Sequence, residues 1–117
     1  MNKICTSLEQ SKKLIELGID VNTADMHWQY IEEDNGQLQW FCFPKDFSIN
    51  QYDSIPCWSL IALINVLPSA TLDISFDHWF MIKCNEKFTA WHDNPIDVCV
   101  EMIEKLHKKM IHDFNNS

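Results

Sequence analysis

The stretch PCWSLIALINVLP, residues 56–68, is the most apolar run of the chain and constrains the fold more than any other feature. Its only strongly polar members are Ser59 and Asn65. A helix that spans a bilayer needs about 20 apolar residues, and prolines close this run well short of that length. The run therefore predicts a buried core element and argues against a membrane segment.

The spacing within this run predicts a helix of about three turns. Pro56 suits a first helical turn, where its missing N–H costs nothing, and Ser54 or Asp53 is expected to cap the helix. Pro68 is expected to end it. One stripe of the predicted helix carries Cys57, Leu60, Ile61, Ile64 and Leu67.

The two glycines of the chain predict the end of a first helix and a hairpin turn. Thr6 and Glu9 are predicted to form a capping box for the segment TSLEQSKKLIEL, and Gly18 its left-handed C-cap. Gly36 is predicted to close the hairpin turn EDNGQ. With residues 34–36 as the loop, one face of the hairpin carries Trp28, Tyr30, Leu38, Trp40 and Cys42. The other face carries His27, Gln29, Ile31, Gln39, Phe41 and Phe43. A two-residue Asn-Gly turn would shift this register by one residue.

The second half of the chain predicts three strands and a helix. The strands lie near residues 71–76, 79–84 and 87–92, with turns at 77–78 and 85–86, and Leu72, Ile74 and Phe76 are expected on the dry face of the first. The last helix begins at Pro95 after a cap at Asp93 or Asn94.

The order α-β-β-α-β-β-β-α predicts an α+β fold, an antiparallel sheet of about five strands with helices packed on one face. We expect residues 1–117 to form a single domain, with residues 112–117 as a frayed tail.

The charge of the chain limits its partners. All nine basic residues are lysine, seventeen residues are acidic, and the formal net charge is −8. A domain without arginine lacks the bidentate fork that binds phosphate and guanine, so we expect no nucleic-acid ligand and no membrane partner. The acidity predicts a solubilising surface, and it leaves open a basic partner or mimicry of nucleic acid.

The five cysteines form no C-x-x-C pair, and each lies in or beside an apolar stretch. We expect buried, reduced thiols. The first ten residues contain no secretory h-region, which predicts a cytoplasmic location. The histidines lack metal-ligand spacing, so we predict no metal and no cofactor. One open alternative is a site assembled across the fold, for example from His78, His92 and Asp93.

No catalytic constellation is visible in the sequence. Cys57 is the best candidate nucleophile, because a thiol in a first helical turn feels the positive end of the helix dipole. Its place on an apolar stripe instead predicts an inert core residue. Two isolated glycines exclude a phosphate-binding loop, and the acidic run at Glu32, Glu33 and Asp34 is expected to be a solvated turn.

Aromatic residues are concentrated on the predicted strands. The sheet core is expected to take most of them, and any that are exposed would indicate a protein interface or a self-association face. The residues of this possible interaction surface are Trp28, Tyr30, Trp40, Phe41, Phe43, Trp79 and Trp91.

Three segments of the chain are similar to segments of other proteins: ICTSLEQSKKLIELGIDVNTADM, IPCWSLIALINVLP and DNPIDVCVEMIEKL. Together they resemble a family of small uncharacterised proteins from gut Bacteroidetes genomes, their prophages and mobile elements, over nearly the whole chain. The resemblance implies a bacterial or phage-borne cytoplasmic accessory protein. It supplies no catalytic residues.

Three hypotheses of function follow. The first is a non-enzymatic interaction or accessory module that binds another protein or a second copy of itself. An alternative is a small enzyme or ligand-binding protein whose site is assembled from scattered residues, among them Cys57, His78 and His92. A further alternative is a phage-type anti-defence factor that mimics nucleic acid.

Overall fold

A computed structural model describes residues 3–46 and 54–115, with side chains through residue 107. It divides into two compact units, a first unit of Ile4–Ala62 and a second unit of Met1–Lys3 with Leu63–Ser117. The helices are α1 (Leu8–Glu16), α2 (Leu60–Val66) and α3 (Pro95–Asn115). The strands are β1 (Met26–Glu32), β2 (Leu38–Pro44), β3 (Ser54–Cys57), β4 (Ala70–Ile74), β5 (Phe80–Cys84) and β6 (Lys87–Phe88).

The fold is α+β, as predicted, but the strands form two antiparallel sheets of three strands each. The prediction of one sheet of about five strands is wrong. The strand orders are β2-β1-β3 and β4-β5-β6. Within the described residues each strand pairs only inside its own set, and no edge strand of one set pairs with an edge strand of the other. The expectation of a single domain stays a prediction, since a division by contacts does not test whether the two units unfold together.

Helix α1 begins one residue later than predicted. Ser7 is its N-cap, and a capping box joins Ser7 to Gln10 through two hydrogen bonds of 3.0 and 3.1 Å. The predicted Thr6–Glu9 box is wrong because the buried Thr6 hydroxyl contacts Ser11 Oγ at 2.8 Å. Gly18 follows the helix with a φ of 90°, as expected of a left-handed C-cap.

The hairpin β1–β2 has the predicted register. Glu32 pairs with Leu38 and Met26 pairs with Pro44, and the N–H of Glu33 donates to the carbonyl of Gln37 at 2.7 Å. This pairing leaves residues 34–36 as the loop, so both predicted faces of the hairpin are confirmed.

The apolar run begins as a strand and not as a helix. Residues Ser54–Cys57 pair with β1 at the edge of its sheet. Pro56 is tolerated there because the side of an edge strand without a neighbour requires no N–H donor. The predicted helix start at Pro56 and cap at Ser54 are wrong, and Asp53 lies outside the described residues. Ser59 takes the capping role, since its Oγ accepts the N–H of Ala62 at 3.3 Å.

Helix α2 is therefore only seven residues long. Within it Ala62 and Leu63 are buried. Ile61, which the helical stripe placed in the core, is 71 % exposed, so that part of the prediction is wrong.

In the second unit the predicted turns are confirmed, and His78 and Asn85 have φ values of 62° and 57°. The third predicted strand is shorter than expected, because only Lys87–Phe88 pair continuously with β5 and His92 forms an isolated bridge with Phe80.

Helix α3 begins as predicted, with Pro95 after Asn94. The side-chain oxygen of Asn94 accepts the N–H of Ile96 at 2.8 Å and that of Asp97 at 3.4 Å. Asp97 also forms an ion pair with Lys3, with Oδ1 and Nζ 2.6 Å apart. The helix lies against β5, and the buried core of this unit includes Ile82, Cys84, Val98, Cys99 and Met102. The frayed tail at 112–117 stays a prediction, because its side chains lie outside the described residues.

Candidate functional site

Three of the five cysteines meet in the first unit, and we call Cys5, Cys42 and Cys57 the three-thiol cluster. The Sγ atoms of Cys5 and Cys42 are 2.9 Å apart, and those of Cys42 and Cys57 are 3.5 Å apart. All three sulfur atoms lie within 4.8 Å of one another. No disulfide joins any of the cysteines.

Strand pairing brings two of these thiols together over the central strand β1. Cys42 lies opposite Trp28 and Cys57 lies opposite Met26. Met26 and Trp28 are two residues apart and so share one face of the sheet, and directly paired residues point to the same face. A fourth sulfur, Met26 Sδ, lies 4.0 Å from Cys42 Sγ.

The third thiol is positioned by hydrogen bonds of its neighbour Thr6. The N–H of Thr6 donates to the carbonyl of Trp58 at 2.9 Å, and the N–H of Trp58 donates back to Thr6 Oγ1 at 3.1 Å. Trp28 Nε1 donates to the carbonyl of Thr6 at 2.9 Å. These three bonds fix Cys5 beside Cys57 on the sheet face that also carries Cys42.

Two thiols of this cluster, those of Cys42 and Cys57, have raised pKa values. Burial, followed by contact with Cys5, raises the pKa of Cys42 to about 12. Contact with Cys5 and burial also raise the pKa of Cys57. Cys57 is fully buried and lies on a strand, so the helix dipole invoked for its activation is absent. These features oppose nucleophilic catalysis by Cys57.

The alternative histidine site is not assembled. Among the described residues, the three-thiol cluster is the only group of three or more Cys, His, Asp or Glu side chains close enough to share an ion. His92 contacts Glu101 instead, with Nε2 and Oε1 3.1 Å apart. The sequence missed the cluster because 37 residues separate Cys5 from Cys42 and 15 separate Cys42 from Cys57.

The aromatic residues that the predicted interaction surface takes from the first unit are half-buried, whereas Trp58 of the same unit is fully buried. Those of the predicted interaction surface in this unit are Trp28, Tyr30, Trp40, Phe41 and Phe43. Tyr30 and Trp40 face each other across the hairpin with ring centroids 5.0 Å apart. Their contacts are those of a sheet core that keeps part of its surface in water.

The second unit exposes its aromatics more fully. Trp79 and Trp91 of the predicted interaction surface are 46 % and 45 % exposed, and Phe88 is 53 % exposed. Phe76, expected on a dry face, is 100 % exposed, and Ile74 is exposed too, so this expectation is wrong for both. We call the four exposed aromatic residues, Phe76, Trp79, Phe88 and Trp91, the aromatic surface.

A polar cluster ties part of this aromatic surface to helix α3. Glu101 accepts the N–H of Ala90 at 2.9 Å, and Lys105 Nζ donates to the carbonyl of Phe88 at 2.7 Å. Burial raises the pKa of Glu101, but contacts with His92, Ala90 and Lys105 outweigh it, so the net effect lowers this pKa. The carboxylate therefore anchors the segment that carries Phe88 and Trp91.

A pocket in the first unit bears on the ligand-binding alternative. Its volume is about 170 Å³, and its lining includes Ala24, Met26, His27 and Pro56. Pockets that enclose small-molecule ligands usually measure about 300–1,000 Å³. This pocket is therefore smaller than a typical ligand site. Two larger hollows, of about 460 and 430 Å³, lie at the hairpin loop and at the turn between β5 and β6.

No family model, curated protein or solved structure matches this chain. The resemblance drawn from the three sequence segments stays an expectation. Within the described part of the chain, no helix combines the length and apolarity needed to cross a membrane.

Proposed function

We propose that this chain is a non-enzymatic interaction module that binds a protein partner through the aromatic surface of the second unit. The observation that carries the proposal is the exposure of Phe76, Trp79, Phe88 and Trp91 on one small sheet and its connections. A few hot-spot residues, among which tryptophan is enriched, contribute most of the binding energy at protein interfaces, and leaving several large aromatic side chains in water is unfavourable.

The anchoring of this surface supports the same role. Glu101 and Lys105 hold the backbone at Ala90 and Phe88. Because this segment is already ordered, less conformational entropy is lost when a partner binds. Lys83 Nζ lies 5.3 Å from the centroid of the Phe88 ring, so this ring is also fixed from one side.

Charge indicates what kind of partner would bind. Residues 70–93 contain four acidic and two basic side chains, a net charge of −2 (2 − 4), within a chain of net charge −8. Two such chains repel each other, whereas a partner with lysine or arginine around an apolar pocket is attracted. We therefore commit to a basic, apolar protein surface as the occupant and treat self-association as an outcome of the test.

Two matched peptides test this proposal. One is an amphipathic helix of leucine and lysine, and the other has the same length and leucine positions with glutamate in place of lysine. We expect the purified chain to bind the lysine peptide at least about tenfold more tightly. The double substitution Trp79→Ala with Trp91→Ala is expected to weaken that binding about tenfold or more, as for interface hot spots.

The matched control is Ile61→Ser, which removes an exposed apolar side chain outside the aromatic surface. Its binding should equal that of the unmodified chain. Equal affinity for both peptides would contradict the charge argument. A dimer in light scattering that the tryptophan substitutions abolish would assign the surface to self-association.

The other functions remain weaker proposals. The hypothesis of a small enzyme is weaker because its best candidate nucleophile, Cys57, is buried and has a raised pKa. Mimicry of nucleic acid rests on the net charge and on the resemblance to proteins of mobile elements, and binding to a basic nucleic-acid enzyme that weakens steeply with salt would support it. We also propose that the protein is cytoplasmic and binds no nucleic acid. Both proposals rest on the sequence.

A further inference from the structure

The three-thiol cluster has the composition of a soft metal site. Its three sulfur atoms come from three separate segments of the first unit and converge within 4.8 Å of one another, with the Met26 thioether beside them. We propose that Cys5, Cys42 and Cys57 bind one Cu(I) ion through their sulfur atoms. This site is independent of the aromatic surface and of the proposed interaction.

The spacing of the sulfur atoms suits a small ion in the plane between them. With metal–sulfur bonds of about 2.3 Å, as in zinc thiolates, a trigonal site separates its sulfur atoms by about 4 Å. The distances of 2.9 Å and 3.5 Å around Cys42 are shorter by about 1.1 and 0.5 Å than that value. Small side-chain rotations would widen the triangle enough to admit an ion.

The backbone around the cluster is preorganised. Cys42 and Cys57 are fixed by their pairing with the central strand β1. Cys5 is fixed because Thr6 exchanges two hydrogen bonds with Trp58 and accepts a third from Trp28. An ion would therefore bind with little loss of chain entropy, as in engineered sites that succeed.

The donor set favours Cu(I) over Zn(II). Thiolate and thioether sulfur are soft ligands that select soft ions, and Cu(I) is satisfied by two or three of them. Structural zinc sites are almost always four-coordinate. Among the described residues, no histidine or carboxylate joins the three thiols closely enough to supply a fourth strong ligand.

The burial of the thiols also favours Cu(I) over Zn(II). Cys5 and Cys57 are almost fully buried, so a water ligand that would complete a zinc site is disfavoured. Each thiol that coordinates as a thiolate loses one proton to solvent, and copper stays in the +1 state, so no electron acceptor or donor is required.

Anaerobic titration of the reduced full-length chain with Cu(I), in competition with a chromophoric Cu(I) chelator, tests the proposal. We expect one tightly bound ion per chain. Loss of a second-shell partner alone costs about 10- to 100-fold in metal affinity, so Cys42→Ser should cost about 100-fold or more. Cys42 is only half-buried, so this variant is expected to fold, and circular dichroism checks that it does.

Cys99→Ser is the matched control, because it removes a buried thiol of the second unit. It should bind Cu(I) as the unmodified chain does. Stoichiometric binding that survives Cys42→Ser or is lost in Cys99→Ser would overturn the assignment, and so would a folded chain that binds no Cu(I).

Two measurements on the unmodified chain keep the test independent of any variant. X-ray absorption at the copper edge should show sulfur neighbours only, and nitrogen or oxygen neighbours would overturn the proposal. Equimolar Zn(II) should not displace Cu(I) from the site, and displacement would overturn the choice of metal.

Discussion

Replacement of Thr6 by valine separates the hydroxyl of this residue from its volume. Thr6 is fully buried, and its Oγ1 accepts the N–H of Trp58 at 3.1 Å and contacts Ser11 Oγ at 2.8 Å. Valine keeps the branched shape but leaves the N–H of Trp58 without its acceptor. A buried donor left unsatisfied costs about 1–3 kcal/mol.

The loss at Ser11 is smaller, because Ser11 Oγ still donates to the carbonyl of Ser7 at 2.6 Å. We therefore expect Thr6→Val to lower the free energy of unfolding by about 2 kcal/mol. With an unfolding entropy of about 2.1 cal/mol/K per residue over 117 residues, this corresponds to a Tm lower by about 8 °C. The measurements are urea unfolding followed by tryptophan fluorescence and thermal unfolding followed by circular dichroism.

Thr6→Ser is the matched control, since it keeps the hydroxyl and loses only a methyl group, at about 1 kcal/mol. Hydrogen exchange gives a local readout, because the Trp58 amide should lose protection in the valine variant and keep it in the serine variant. A valine variant within about 0.5 kcal/mol of the unmodified chain would refute the reasoning, since packing and not hydrogen bonding would then hold the first unit at Thr6.

Three further predictions follow from single residues. The folded-state pKa of Glu101 lies below its usual value of 4.5, so its contribution to stability is present above that pH and is lost as the pH falls through the folded value. Glu101→Gln should thus flatten the decrease of Tm in acid, and an unchanged slope would contradict this. Gly18→Ala should destabilise the chain by about 1 kcal/mol in urea, because its φ of 90° strains alanine although no atom lies within 4 Å of the added Cβ; a neutral result would exclude that strain. A neutral maleimide should label the buried Cys57 only after unfolding. Labelling of Cys57 in the native chain as fast as in the denatured chain would show that this thiol is reactive.

Local patterns predicted much of the fold. The hairpin faces expected for a loop at residues 34–36 were correct, because the strands alternate regularly on either side of a turn that ends in glycine. The start of α3 was correct because Asn94 and Pro95 are favoured at neighbouring positions of a helix start. Each of these features depends on residues that are close in sequence.

The predictions that failed depend on distant residues. Helical periodicity placed Pro56 and Cys57 in a first turn, but the free side of β1 takes Ser54–Cys57 as a strand. The Thr6 cap failed for the same reason, since Thr6 is bonded to Trp58, 52 residues away. A hydrogen bond offered by a distant segment outweighed the local preference in both cases.

The sequence by itself determined the α+β class, the positions of the turns and the start of the last helix, because short-range backbone geometry and side-chain periodicity decide these features. The structure decided the register of the hairpin between the two turns that the sequence allowed. Only the tertiary structure decided which aromatics face water and which cysteines meet. Exposure depends on what packs against a strand, and the three-thiol cluster depends on strand pairing between segments 15 and 37 residues apart. No spacing in the sequence encodes such a meeting, because the pairing of distant strands is set by which edges of the sheet remain unpaired.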